Sequence, residues 1–138
     1  MSEPYGAPIT LNMARHAAEA ALAEARRNQW TMAVAIVDPA GSLVYFEKMD
    51  GTQNGSVVVA QAKARSAALF KRSTKASQDT LAAGGDGLRV LGLEGVVPVE
   101  GGVPLVSEGH IVGAIGVSGG TSQQDGLCAK AAVEAVVK

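Results

Sequence analysis

The chain has 138 residues, with twelve basic and thirteen acidic side chains and a formal net charge of −1 at pH 7. That size predicts a single domain over residues 1–138 with room for a modest core, and the balanced charge offers no basic face to nucleic acid or to an anionic membrane. Two histidines and one cysteine show no zinc-ligand spacing and allow no internal disulfide, so a metal-free protein of a reducing, cytoplasmic compartment is expected.

Aromatic residues make up only 4% of the chain, too few for a base-stacking platform. Residues 1–4 carry neither a charged leader nor an apolar signal run, and no apolar stretch approaches the roughly twenty residues of a membrane span. A soluble protein is the expectation.

The first helix is predicted over residues 11–28, where Leu11, Ala14, Ala18, Ala21, Leu22 and Ala25 recur at helical spacing behind Thr10 as N-cap. Its apolar face is nearly all alanine, which suits close packing. Strands over 32–37 and 43–48 flank Asp38-Pro39-Ala40-Gly41-Ser42, whose turn chemistry predicts a β-hairpin. After a loop over 49–55, Ser56 is expected to cap a long helix over 57–72. Residues 77–83 read as a short helix stopped by Gly84-Gly85, and 86–95 as irregular, with one helical turn over 88–91. Three strands follow, over 96–99, 103–107 and 111–118, separated by Gly101-Gly102 and Glu108-Gly109. A final helix over 122–138 opens on Thr121-Ser122-Gln123-Gln124, a capping-box pattern. Strands joined by turns this short run antiparallel. The expected fold is therefore α+β, one five-stranded antiparallel sheet layered with helices.

Glycine is concentrated in the strand-like stretch 101–125. Glycine weakens a strand but admits another backbone or a ligand to close approach. Ser118-Gly119-Gly120 at a helix start also offers backbone N–H groups to an anion. These features predict a glycine-lined pocket for a small molecule, with Met49, Gly102, Val103, Ser118, Gly119 and Gly120 around it. Met49 alternatively belongs to the core. Lys63 is read either as a solvated surface charge or as a cation that reaches the glycine-lined sheet. Asp125 suits the N-terminal end of the last helix and should point away from any bound anion. Cys128 is expected to be a small buried residue, the alternative being a thiol activated by the helix dipole. Gly116-x-Ser118-x-Gly120 matches a hydrolase nucleophile pattern in form, but the strand order and the length of the chain do not. Phosphate-loop spacings are absent.

Several blocks occur together and in order: Val37-Asp38 with Gly41, Lys48-Met49-Asp50-Gly51, Ala60-Gln61-Ala62-Lys63-Ala64-Arg65, Gly101-Gly102-Val103-Pro104, and the run from Gly113 to Gly120 followed by Gln124-Asp125. In combination they resemble the GlcG/HbpS-like family, known as haem-binding or haem-degrading, and the C-terminal domain of PduO-type cobalamin adenosyltransferases. The resemblance runs from about Leu11 to the C-terminus. It implies a profilin- or roadblock-like α-β-α fold, a homo-oligomer between dimer and octamer, and haem as the leading ligand. His16 is then the candidate axial ligand, since His110 falls at a hairpin tip. Lys63 and the N–H groups of Gly119 and Gly120 would meet the haem propionates. One alternative is a metal-independent enzyme acting on a small organic acid, with Lys63 as acid/base and Asp50 as its partner. Another is a structural or assembly module.

Overall fold

A computed structural model describes residues 3–136. Helix α1 (Leu11–Arg27) begins as expected, with the Thr10 hydroxyl accepting from the Met13 N–H at 3.2 Å. Strands β1 (Ala33–Val37) and β2 (Leu43–Lys48) form the expected hairpin, in which Asp38 Oδ1 accepts from the N–H groups of Ala40 and Ser42, both at 2.9 Å. Helix α2 (Ser56–Phe70) has Gly55 as its N-cap, so Ser56 lies inside the first turn rather than capping it. Helix α3 (Thr74–Ala82) starts earlier than the sequence suggests because the Ser73 hydroxyl caps it, accepting from Ala76 N–H at 3.1 Å. A 3₁₀ segment, Gly85–Gly92, contains the expected helical turn.

Strands β3 (Gly102–Ser107) and β4 (His110–Ser118) and helix α4 (Ser122–Val136) complete the chain. The expected last two residues of α4 lie outside the described residues. Its capping box is formed: Thr121 N–H donates to Gln124 Oε1 at 3.0 Å and Gln124 N–H to Thr121 Oγ1 at 3.2 Å.

The sheet is antiparallel but has four strands, not five, in the order β2-β1-β4-β3. Residues 96–99 do not join it. Pro98 has no N–H for a ladder, and the backbone on either side is held by helix side chains. Val97 N–H donates to Ser66 Oγ at 3.0 Å and Glu100 N–H to Gln78 Oε1 at 2.8 Å.

Alternation along the strands divides the core in two. Leu22 of α1, Cys128 and Ala132 of α4, and Val34, Ile36, Leu105, Ile115 and Val117 of the strands form one apolar layer. On the opposite face Ala60, Ala64, Ala67 and Ala68 of α2 pack on Ala33, Ala35 and Ala114. Glycine makes the second layer possible. A Cβ on Gly116 would collide with the Ala60 carbonyl oxygen, and one on Gly102 with that of Lys63. The backbone that approaches these strands closely is thus a helix of the same chain.

Candidate functional site

Where Gly102 and Gly116 lie, the glycine-rich face expected to receive a ligand is covered by α2 instead. At its end Lys63 is 1% exposed. Its ammonium donates to Asp125 Oδ2 at 2.9 Å and to the Val117 carbonyl at 3.0 Å. The second carboxylate oxygen, Asp125 Oδ1, accepts from Gly120 N–H at 3.0 Å. The anion held by this cation and this amide is therefore the chain's own Asp125. Burial pushes the Asp125 carboxyl above its usual value, against the lowering effect of the bonds from Lys63 and Gly120.

The other expected pocket residues are placed around this network. Ser118 Oγ donates to Ser56 Oγ at 3.1 Å, and the Met49 sulfur accepts from Met32 N–H at 3.3 Å. Gly102 is buried beneath α2, and Val103 packs on the α1–α4 layer. Gly119 is half-buried and Gly120 exposed. Among the described residues no buried side-chain nitrogen or oxygen lacks a partner. Asp50 is exposed on its loop, and Lys63 pairs with Asp125 rather than with it. Cys128 is fully buried, and burial pushes its thiol up to about 12.

A different concavity lies at the opposite end of β4. The N-terminal segment straps across that strand: Ile111 N–H donates to Pro4 O at 2.8 Å, Gly6 N–H to Ile111 O at 2.9 Å and Ile9 N–H to Val112 O at 2.8 Å. The Tyr5 hydroxyl ties the strap to α2 by donating to Ala68 O at 2.6 Å. Between the strap, the start of α1 and the β3–β4 hairpin is a cleft of about 410 Å³. Ile9, Met13 and Val112 give it an apolar floor, with Ser107, Glu108 and His110 also lining it.

The hairpin turn fixes His110. Glu108 and Gly109 both have positive φ, 51° and 79°, as a tight turn between twisted strands requires. The His110 Nδ1 lies 3.1 Å from the Glu108 carbonyl. With the proton on Nδ1 as donor, Nε2 keeps a free lone pair. Both histidines are exposed; His16 differs in lying on the side of α1 away from the buried Ala14, Ala17 and Ala18, among the exposed polar groups Asn12, Arg15 and Glu19. The sequence pointed to His110 as a hairpin residue, but the cleft beside it depends on the strap, which carries no periodic signal. Among the described residues no group of three or more metal-ligating side chains converges, and no helix is long and apolar enough to cross a membrane.

A family model described as haem degrading protein HbpS-like matches residues 9–134. The chain belongs to the HbpS-like family. Among HbpS-like relatives, protein GlcG of Escherichia coli K12 is 37% identical over 95 residues, 69% of each chain. A 15.0 kDa protein from the dhaT-dhaS intergenic region of Citrobacter freundii is 32% identical over 130 residues, 93% of this chain and 92% of that one. The HbpS-like fold is also seen in solved structures. The Klebsiella pneumoniae protein ORFY superimposes with a TM-score of 0.85 at 28% identity, covering 99% of this chain and 96% of its own. A PduOC:heme complex gives 0.83 at 27% identity, covering 94% and 95%.

Proposed function

We propose that this chain is a single-domain, cytosolic, self-associating protein that binds a small ligand, with haem the leading candidate. The family and the likeness to a haem complex support the ligand class. The observation that carries the reading is His110 on the rim of the strap cleft, with Nδ1 against the Glu108 carbonyl and Nε2 open. Histidines that ligate a metal characteristically donate their other ring N–H to a carbonyl or carboxylate, which fixes the tautomer and the ring plane. The cleft is within the usual size range of small-molecule sites, and its floor is apolar as such sites generally are.

Haem would supply an iron that an imidazole can ligate. His110 would provide that ligand, and Ile9, Met13 and Val112 the apolar contact. His16 is the second candidate, with an exposed imidazole but polar surroundings. Lys63, Gly119 and Gly120 act in this reading as the scaffold that holds α2 and α4 to the end of β4. A Lys63–Asp50 acid/base device has no support in the geometry, because the ammonium is engaged elsewhere.

The test is an absorption titration with hemin of the wild type, His110→Ala and His16→Ala. A sharp, saturable Soret band is expected, lost in His110→Ala and kept in His16→Ala. Loss in His16→Ala alone moves the ligand to α1. A broad, unsaturable spectrum from the wild type ends the haem reading and leaves other small ligands, carboxylic acids first.

A further inference from the structure

Helix α2 is apolar nearly all round. Its charged residues are Lys63, which is buried, and Arg65, which is exposed. One stripe, Ala60, Ala64 and Ala67, packs on the sheet. On the opposite side Val58, Ala62, Arg65 and Leu69 follow one another at steps of four, three and four, the spacing of a seam between two helices. Val58 is 70% exposed and Leu69 38%. A helix with apolar residues on both sides is ordinarily covered on both. Two grooves flank the exposed stripe, of about 360 Å³ and about 340 Å³. Ala62 and Arg65 line both of them, Glu94 lines the first and Leu43 the second.

We infer that this stripe is the docking surface for a second copy of the chain, with the two α2 helices antiparallel across a two-fold axis. The inference rests on the self-association proposed above and names the face that carries it. A two-fold interface must be self-complementary, so that if residue i meets residue j, then j meets i. The stripe has that property, since Val58 and Leu69 are equidistant from its centre, as are Ala62 and Arg65. Antiparallel pairing sets Val58 against the partner's Leu69, and Arg65 against the partner's Ala62. The two guanidinium groups are thereby kept apart. Alanine leaves room for the Arg65 stem, and Glu94 lines the groove beside Ala62, so each guanidinium reaches the partner's Glu94. Within the chain, and among the described residues, neither Arg65 nor Glu94 takes part in an ion pair.

Sedimentation of the wild type, Arg65→Glu, Glu94→Arg and the double exchange tests the inference, with circular dichroism confirming that each is folded. The wild type is expected to be a dimer or a larger even-numbered assembly. Each single reversal should raise the dissociation constant by at least about 10-fold, and the double exchange should bring it back to within about 3-fold of wild type. Rescue by the double exchange is an outcome that a mere folding defect does not produce. A monomeric wild type overturns self-association itself. An assembly that neither reversal weakens, or that the double exchange fails to restore, overturns this face while leaving self-association standing.

Discussion

Lys63 and Asp125 lie 62 residues apart in the chain and 2.9 Å apart in the fold, with both side chains almost entirely buried. The pair fastens α2 to α4, and the further bond to the Val117 carbonyl fastens both to the C-terminal end of β4. Removing one member of a buried pair strands the other charge. Asp125→Asn is accordingly expected to cost about 3–5 kcal/mol in urea unfolding at neutral pH.

Lys63→Met tests the same pair through pH. Burial already holds the Asp125 carboxyl high, and the substitution removes the first of the bonds that lower it. The folded pKa then stands further above the unfolded value of about 3.9. A raised folded pKa favours the protonated native state, so the deficit against wild type is smallest below about pH 4 and grows as pH rises through the folded value. Unfolding free energies measured across that range should diverge with pH. A deficit that stays flat would show that Asp125 is not charged in the native wild type.

Gly116 sets the distance between α2 and the sheet, since a Cβ there meets the Ala60 carbonyl. Gly116→Ala should destabilise by about 1–3 kcal/mol through overpacking, whereas Gly92→Ala, with nothing within 4 Å of the new methyl, should be near neutral. Urea midpoints of the two variants give the comparison directly. Equal midpoints would mean that α2 can move outward without loss.

These residues also show what could be read in advance. The β1–β2 hairpin, the Thr10 cap and the Thr121–Gln124 capping box were legible because turn and cap chemistry is local. Glycine in β4 was legible as a site of close approach, but its steric signal is the same whether a ligand or a helix of the same chain comes near. Lys63 occupies the position between Ala60 and Ala64 on the buried side of α2, and Asp125 leads the buried series Cys128, Ala129 and Ala132 on α4. That spacing places both on the inward side, a signal that the readings of Lys63 as a surface charge and Asp125 as a helix-end charge did not use, and their pairing is a long-range contact that no single helix reveals. The apolar run at 96–99 looked like a strand until Pro98 and the donors on α2 and α3 are considered together.

Cys128 should behave as an inert core thiol. With its pKa pushed up to about 12 by burial, almost no thiolate forms at pH 8, and labelling by a disulfide reagent should occur only after unfolding. The same shift predicts a pH effect of definite sign. The unfolded thiol ionises near pH 8.5 and the folded one does not, so this contribution to stability is complete below that value and is lost as pH climbs toward the folded one. Cys128→Ala removes that slope between about pH 8.5 and 12. Rapid labelling of the folded protein would contradict the buried placement.

Met13 allows the strap cleft to be altered with little harm to the fold. It is the third residue of α1, three positions after the capping Thr10, and the first turn contains no acidic residue. Met13→Glu therefore completes a capping box and suits the positive end of the helix, gains of about 0.5–1 kcal/mol that offset lost burial of the half-exposed methionine. The same carboxylate would stand in the apolar floor of the cleft. Thermal stability should stay within a few degrees of wild type, while hemin affinity should fall at least about 10-fold. Titration and melting of one sample give both readings. Unchanged affinity in the folded variant would move the ligand out of this cleft, and lost affinity in a destabilised variant would be judged against Val112→Thr, which disturbs the floor from the strand side.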